Sequence, residues 1–492
     1  MNKPLKHPFQ SPDSFLTERY QILPFDFERI DSNRVLLTNL TGEYTLLPNN
    51  LLEPLIAGVL PTSSPYYKTL EAKHFVYSGD GHSSKSLLAL KHNTKTKPIS
   101  AFTGLHIFVP TLRCDHSCQY CQVSRQSATA GQFDMTIEHA MKALDWVFLS
   151  PNPAIKIEFQ GGESLLNFPL VQQVILQAER RNLIEKRNLQ FVITSTLAFL
   201  TPEIIEFARE RPVFFSTSLD GPETLHNANR PRPSRDSFQK AIEGIRLIRK
   251  ELGSERVSAL MTTTERSLPN AQAIIDSYLE QGFNGIFLRS LSPYGFALKS
   301  KQFQKLQTLE WLRFYQEGLS YIFELNRKGI PFTEYYTALI ARKILTPFGT
   351  SFVDLQNPSG SAISAVVYNY DGKVYASDEG RMLAETGDNS FELGHLDTHS
   401  YAEVFHGQKL LNILHQSLQE NSPICDQCAF RHYCGTDPAY HTATQQDLTG
   451  HKTFSGFCQK QKGIFHFILD HLTGSDPFIQ NLLHSWAWNS NP

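Results

Sequence analysis

Three cysteines, Cys114, Cys118 and Cys121, form a C-x3-C-x2-C run directly after an apolar stretch at residues 105–109. Thiolates at that spacing can wrap one corner of a 4Fe–4S cluster. Three ligands leave the fourth iron open, and an open iron can chelate a small molecule. The competing occupant is zinc, which in structural sites wants four ligands; His116, inside the loop, is the spare donor. A second group follows far downstream: Cys425, Cys428 and Cys434 as C-x2-C-x5-C, then Cys458. Four thiolates close a 4Fe–4S cluster, which suits electron transfer better than substrate binding. They are also a standard structural zinc set.

These seven cysteines are an odd count in two tight clusters, the distribution of metal ligands in a reducing compartment rather than of disulfides. At 492 residues the chain should divide into two or three domains. Its 46 basic and 48 acidic residues nearly balance, and no basic stripe argues for nucleic acid. No stretch approaches a membrane span, and the start, Met1-Asn2-Lys3-Pro4, lacks the apolar core of a secretory signal. The expected location is cytoplasmic.

The elements that must position the cysteines can be read from periodicity. Residues 1–100 read as a separate small domain. Apolar alternation at 22–27 and 35–40 passes through Thr41-Gly42 to 43–47, a hairpin pattern, and helical stretches follow at 51–58 and 67–75. The Ser-, Lys- and Thr-rich segment 78–98 reads as linker or loop. From 101 to 330, strands are expected at 105–109, 155–160, 191–194, 213–218, 257–261 and 285–289, alternating with helices. Thr201-Pro202 is an N-cap with proline in the first turn. Phe238, Ile242, Ile245 and Leu252 share one helical face that ends at Gly253. Six strand–helix units imply a partial (βα)6 barrel of TIM type within an α/β fold, with chemistry at the carboxyl ends of the strands. Residues 331–470 begin with a helix and become loop-rich, with a hairpin at 365–375 turning on Asp371-Gly372; 471–492 form a tail.

The cysteine loop, the Gly161-Gly162-Glu163 run one strand later and the Ser218-Leu219-Asp220-Gly221 run after the fourth strand together resemble the radical SAM enzymes. The resemblance implies a 4Fe–4S cluster on Cys114, Cys118 and Cys121 that binds S-adenosylmethionine (SAM) and cleaves it reductively to a 5′-deoxyadenosyl radical. It implies that Gly161 and Gly162 let backbone approach SAM closely, that Glu163 accepts from its ammonium, and that Ser218 and Asp220 bond its ribose. Arg230 would hold its carboxylate and Tyr120 would shield the adenine side. The chain departs from the pattern at Ser164, where proline often stands, and at Thr194-Ser195-Thr196 in place of Thr-Asn.

The second cysteine group resembles the C-terminal half of a SPASM domain, which implies an auxiliary 4Fe–4S cluster on Cys425, Cys428, Cys434 and Cys458. The family's other auxiliary site is lost together: Pro358-Ser359, Tyr375-Ala376-Ser377 and Pro438 stand where its cysteines would be. Segments 105–125, 157–168, 216–233, 287–296, 368–385 and 425–440 are similar to one narrower family, the His-Xaa-Ser system radical SAM maturases. That resemblance implies a precursor peptide with His-Xaa-Ser repeats as substrate, a flavodoxin or ferredoxin as reductant, and a second radical SAM maturase as companion. It gives residues 1–100 the layout of a winged-helix-like peptide-recognition domain that adds a leader strand to its sheet edge. Asp378 aligns with a carboxylate used as base in sulfatase maturases; the alternative is a solvated acidic pair with Glu379. Two rival functions stand beside this one. One is a sulfatase-maturase-like oxidation of a Ser or Cys side chain, and the other is a non-catalytic zinc or electron-transfer protein.

Overall fold

The computed structural model describes residues 20–489. Near its start, strands β1 (Phe25–Arg29), β2 (Arg34–Asn39) and β3 (Tyr44–Pro48) form an antiparallel three-stranded sheet in that order. The turn between β2 and β3 closes because Gly42 takes φ +76°, a region costly for other residues, and donates its N–H to Asn39 O at 2.9 Å. The segment 78–98, expected as linker or loop, is instead occupied by helix α1 (His82–Thr96). Leu88 is the one buried residue along it, so no apolar stripe could announce the helix. Lysines moor it instead. Lys91 pairs with Glu43 at 2.6 Å, and Lys95 Nζ donates to Lys343 O at 3.0 Å.

The centre of the molecule is an eight-stranded sheet. Its strands are β4 (Leu105–Phe108), β5 (Ala154–Phe159), β6 (Asn188–Thr194), β7 (Val213–Ser218), β8 (Val257–Leu260), β9 (Ala365–Tyr368), β10 (Lys373–Tyr375) and β11 (Glu392–His395). The order is β8-β7-β6-β5-β4-β9-β10-β11; β8 through β9 are parallel and the last two are antiparallel. Parallel neighbours need crossovers, and helices α2 (Ile137–Leu149), α3 (Phe168–Glu185), α4 (Pro202–Arg209), α5 (Ser237–Leu252) and α6 (Ala271–Glu280) supply them. Local signals set their ends. Thr201 accepts from Ile204 N–H at the start of α4, and Gly253 stops α5 at φ +111°.

The sixth barrel strand differs from expectation. Of residues 285–289, Gly285–Ile286 alone is a strand, and it pairs with Thr333–Glu334 outside the main sheet. The reason is a change of partner. Leu288 N–H is satisfied by the Glu334 carboxylate at 3.1 Å, and Arg289 O takes Thr263 N–H at 2.9 Å. The sixth parallel position is filled by β9, so the sheet runs across residue 330. His106 on β4 stacks on Tyr368 of β9 with centroids 6.0 Å apart and planes 2° from parallel. Burial pushes His106 down to about 4, which keeps it neutral there.

Helices α7 (Thr308–Arg327), α8 (Tyr335–Leu345), α9 (Asp378–Ala384), α10 (Gly456–Thr473) and α11 (Pro477–Trp488) complete the elements used below. The N-terminal sheet rests on the segment that carries the second cysteine group. Asp26 meets Arg431 at 2.8 Å and His432 at 3.3 Å, and Glu28 meets Lys462 at 2.8 Å. Thr38 Oγ1 donates to Ala429 O and Tyr433 Oη to Gly42 O. Among the described residues, no helix is long and apolar enough to cross a membrane.

Candidate active site

β4 runs straight into the cysteine loop. A short parallel pairing, Arg113–Cys114 with Gln126–Ser127, closes its base. Its far end is pinned by Phe296 N–H on Cys121 O at 2.8 Å and by Arg381 Nη2 on Val123 O at 3.0 Å. Cys114, Cys118 and Cys121 line a cavity of about 1050 Å³ and form no disulfide. Burial pushes the Cys118 thiol up to about 12, so cations must share its surroundings for it to act as a thiolate ligand. His116 has both ring nitrogens engaged, Nδ1 with Asp115 at 2.7 Å and Nε2 with Ser237 at 2.8 Å. The ligand atoms of Cys114, Asp115 and His116 lie within 4.8 Å of one another, so a second set of donors stands beside the three thiols.

The two glycines after β5 pack against this loop. A Cβ on Gly162 would fall on the Leu112 and Arg113 carbonyls, and one on Gly161, at φ +152°, on the Thr111 carbonyl. Their backbone bonds the same stretch: Gly162 N–H to Thr111 O at 2.9 Å and Glu163 N–H to Arg113 O at 2.7 Å. Both glycines also line the cavity. Gly162→Ala is expected to destabilise the fold by about 3 kcal/mol, the upper range for overpacking, read as a shifted denaturant midpoint; a variant as stable as the parent would show that the loop yields.

Glu163 is fully buried and is not among the residues lining the cavity. Its carboxylate accepts from Ser195 Oγ at 2.7 Å, Thr196 N–H at 2.7 Å, Thr196 Oγ1 at 2.6 Å and Leu165 N–H at 3.0 Å. Ser195 and Thr196 thus supply the donors that hold this loop to the end of β6, while Thr194 Oγ1 donates to Glu158 at 3.1 Å. Asp220 is likewise fully buried, with Tyr120 Oη at 2.6 Å, Arg230 Nε at 3.1 Å and Thr262 N–H at 3.3 Å. Arg230 lies over the Tyr120 ring at 5.4 Å, and Tyr120, Arg230 and Ser218 all reach the cavity wall. Glu163 and Asp220 therefore brace the residues around the cavity, while Gly161, Gly162, Ser218, Tyr120 and Arg230 face it.

Asp378 lines the same cavity, where Arg381 Nε lies 3.9 Å from its Oδ1. Its side chain is 17% exposed, at the start of α9, where Ser377 Oγ caps Gly380 N–H at 3.1 Å. Burial pushes Asp378 up to about 7. Its neighbour Glu379 lines the cavity as well. Sequence reading missed Asp354, Asp437, Arg289 and Lys460, which line this wall too. Asp437 directly precedes the cysteine-replacing Pro438 and Asp354 lies four residues before Pro358, and that proximity was the available signal.

The second cysteine group gathers as its spacing suggests. Cys425 and Cys428 form one tight turn, with Cys428 N–H on Cys425 O at 3.1 Å. Cys458 sits in the first turn of α10, its N–H on Ser455 Oγ at 3.2 Å. Burial raises the Cys434 thiol, and the nearby Cys458, Cys428 and Cys425 raise it further, so the four sulfurs surround one region.

Residues 108–265 match the model of the radical SAM superfamily. An uncharacterized protein of Methanothermobacter thermautotrophicus is 27% identical over 181 residues, 36% of this chain and 64% of that protein. The match therefore spans less than two-thirds of that relative's length. The cysteine-type anaerobic sulfatase-maturating enzyme of Clostridium perfringens is 20% identical over 374 residues, 73% of this chain and 94% of that enzyme. Among solved structures, native anSMEcpe with bound AdoMet and Cp18Cys peptide superposes with a TM-score of 0.63 at 17% identity, over 78% of this chain and 99% of that one. This likeness extends to the mostly parallel central sheet. The chain thus carries a radical SAM superfamily enzyme domain, and its relatives include radical SAM enzymes that modify peptides and proteins.

Proposed function

We propose that the chain is a radical SAM peptide maturase that crosslinks or oxidises a ribosomally made precursor peptide bearing His-Xaa-Ser repeats. The observation that carries this reading is one cavity of about 1050 Å³ lined both by the three loop thiols and by Asp378. That volume suits a cofactor and a peptide segment together. When bound, a 4Fe–4S cluster and SAM supply a 5′-deoxyadenosyl radical that takes a hydrogen atom from the peptide. Cys114, Cys118 and Cys121 hold the cluster; Tyr120, Ser218 and Arg230 line the space for SAM. Asp378 receives the proton lost as the substrate is oxidised.

In this proposal Cys425, Cys428, Cys434 and Cys458 hold a second 4Fe–4S cluster that accepts the substrate's electron. The N-terminal sheet receives the leader peptide at β1, an outer strand with Phe27 46% exposed. A flavodoxin or ferredoxin supplies electrons, a second radical SAM maturase works on the same precursor, and the setting is the cytoplasm.

The deciding assay is 5′-deoxyadenosine formation by the reconstituted chain with and without a His-Xaa-Ser peptide. Stimulation by sulfatase-type Ser or Cys peptides instead would favour the other maturase reading. Asp378→Asn is expected to keep SAM cleavage and to lower modified peptide by about 100-fold, the scale of a lost general base. Because burial pushes Asp378 up to about 7, its proton-accepting form grows as pH rises through that value. Modification by the parent should therefore climb across neutrality, and the residual rate of the variant should stay flat, as read by mass spectrometry.

A further inference from the structure

Two lysines are buried beside the second cysteine group without a counter-charge of their own. Lys343 on α8 and Lys452 in the turn before α10 are 7% and 5% exposed. Among the described residues, no carboxylate oxygen lies within 4.0 Å of either Nζ, whereas the nearby Lys462 is matched to Glu28 at 2.8 Å. Lys343 Nζ donates to Leu355 O and Lys452 Nζ to Thr449 O, one carbonyl each for a group with three donors. A buried charge is costly unless an opposite charge stands near it.

Backbone geometry ties both lysines to the thiols. Gly435 N–H, next to Cys434, bonds Asp354 O at 2.9 Å, and a Cβ on Gly435 would fall 2.7 Å from both the Asp354 and the Gln356 carbonyl oxygens. Leu355, whose carbonyl holds Lys343, lies between those two residues, so the ammonium is delivered beside the Cys434 turn. Lys452 O accepts from Ser455 N–H at 3.2 Å, and Ser455 Oγ accepts from Cys458 N–H at 3.2 Å. The turn that carries Lys452 therefore caps the helix that carries Cys458. Burial pushes Lys343 down to about 7 and Lys95 adds to that, while Cys434 is the charge that opposes it. Burial lowers Lys452 too, and the charges opposing it are Cys425, Cys458 and Cys434, ahead of Asp437.

We infer that Lys343 and Lys452 are positioning residues of the second cluster site, where their fixed charges raise the reduction potential. The potential of an iron–sulfur site follows its net charge and surroundings. Each electron accepted adds one negative charge, and buried cations favour that form because attraction is strong at low dielectric. In the step this serves, the substrate radical gives one electron to the site flanked by the two lysines and one proton to the Asp378 carboxylate, and its new bond closes. The inference rests on the auxiliary-cluster reading and adds to it two residues that act through the cluster.

The test is a redox titration followed by EPR on the reconstituted full chain, repeated on the chain carrying Cys114→Ala, Cys118→Ala and Cys121→Ala to read the second cluster alone. Lys343→Met and Lys452→Met keep a stem of similar size and remove the charge. Each is expected to lower the potential of the second cluster by the equivalent of a tenfold or larger change in its reduction equilibrium, about 59 mV for one electron. The first cluster should keep its potential. Lys343→Arg and Lys452→Arg, which retain the charge, should hold the parent value. Iron analysis and a melting curve accompany every single variant, so a folding failure at one lysine leaves the other to decide. An unchanged potential in a Met variant with full iron would overturn the inference, and so would an equal fall in the Arg variants, which would assign the shift to packing. Zinc in place of iron at the four thiols would remove the auxiliary cluster and the inference together, whereas iron with an unshifted potential removes the inference alone.

Discussion

Replacing Cys114, Cys118 and Cys121 together with alanine is expected to halve the bound iron after anaerobic reconstitution, from about eight to about four atoms per chain. The same change should abolish 5′-deoxyadenosine formation. The fold should persist, because the loop is held by bonds that do not involve sulfur. Its base is the pairing of Arg113–Cys114 with Gln126–Ser127, and its far end is the Phe296 N–H on Cys121 O. Iron analysis, a melting curve and chromatography of the nucleoside read the three outcomes. Deoxyadenosine from a correctly folded triple variant would defeat the assignment of this loop.

Deleting residues 1–100 should cost more than leader binding. The sheet that would be removed covers the segment between Cys428 and Cys434: Thr38 bonds Ala429 O, Gly42 O takes Tyr433 Oη, and Asp26 pairs with Arg431 at 2.8 Å. Phe430 and Tyr433, 1% and 0% exposed, pack in that region. Uncovering the Tyr433 ring, which Gly42 covers, costs about 1.5–3 kcal/mol, and the Asp26–Arg431 pair, with side chains 12% and 16% exposed, is lost with it. The truncated chain is therefore expected to lose iron from the second group and to melt earlier. Phe27→Asp, an exposed change on β1, should keep all the iron and weaken binding of a fluorescent leader peptide by about tenfold, or 1.4 kcal/mol. Full iron in the truncation would show that the sheet is not needed for the cluster. Unchanged leader affinity in Phe27→Asp would move recognition away from β1.

Much of the core was legible because burial on one face imposes a period. The alternation of Ile155, Ile157 and Phe159 on β5 announces a strand, and Thr201-Pro202 and Asp371-Gly372 mark ends that local chemistry alone decides. Helix α1 was illegible for the converse reason, since its contacts run through the lysines Lys91 and Lys95 and leave no apolar stripe. Segment 285–289 looks like a strand, but the long-range acceptor Glu334 takes the N–H of Leu288, which neighbouring residues cannot reveal. The candidate site divides in the same way. The cysteine spacings and the Gly161-Gly162 pair are local patterns. The turning inward of Glu163 and Asp220, and the meeting of Asp354, Glu379, Asp437 and Lys460 on one wall, depend on distant partners.

The pairing of β9 with β4 also sets an order of events during synthesis. His106 and its partner Tyr368 are 262 residues apart, which at ordinary elongation rates separates their emergence from the ribosome by roughly 13–50 s. Throughout that interval β4, the strand that feeds the cysteine loop, has one unsatisfied edge, and His106, Ile107 and Phe108 on it are all buried in the finished protein. An apolar strand with an open edge is a template for wrong pairing. Nascent chains should therefore depend on slow growth temperatures or chaperone shielding until Tyr368 is made, and iron supplied before that point meets a loop whose supporting strand is still half built.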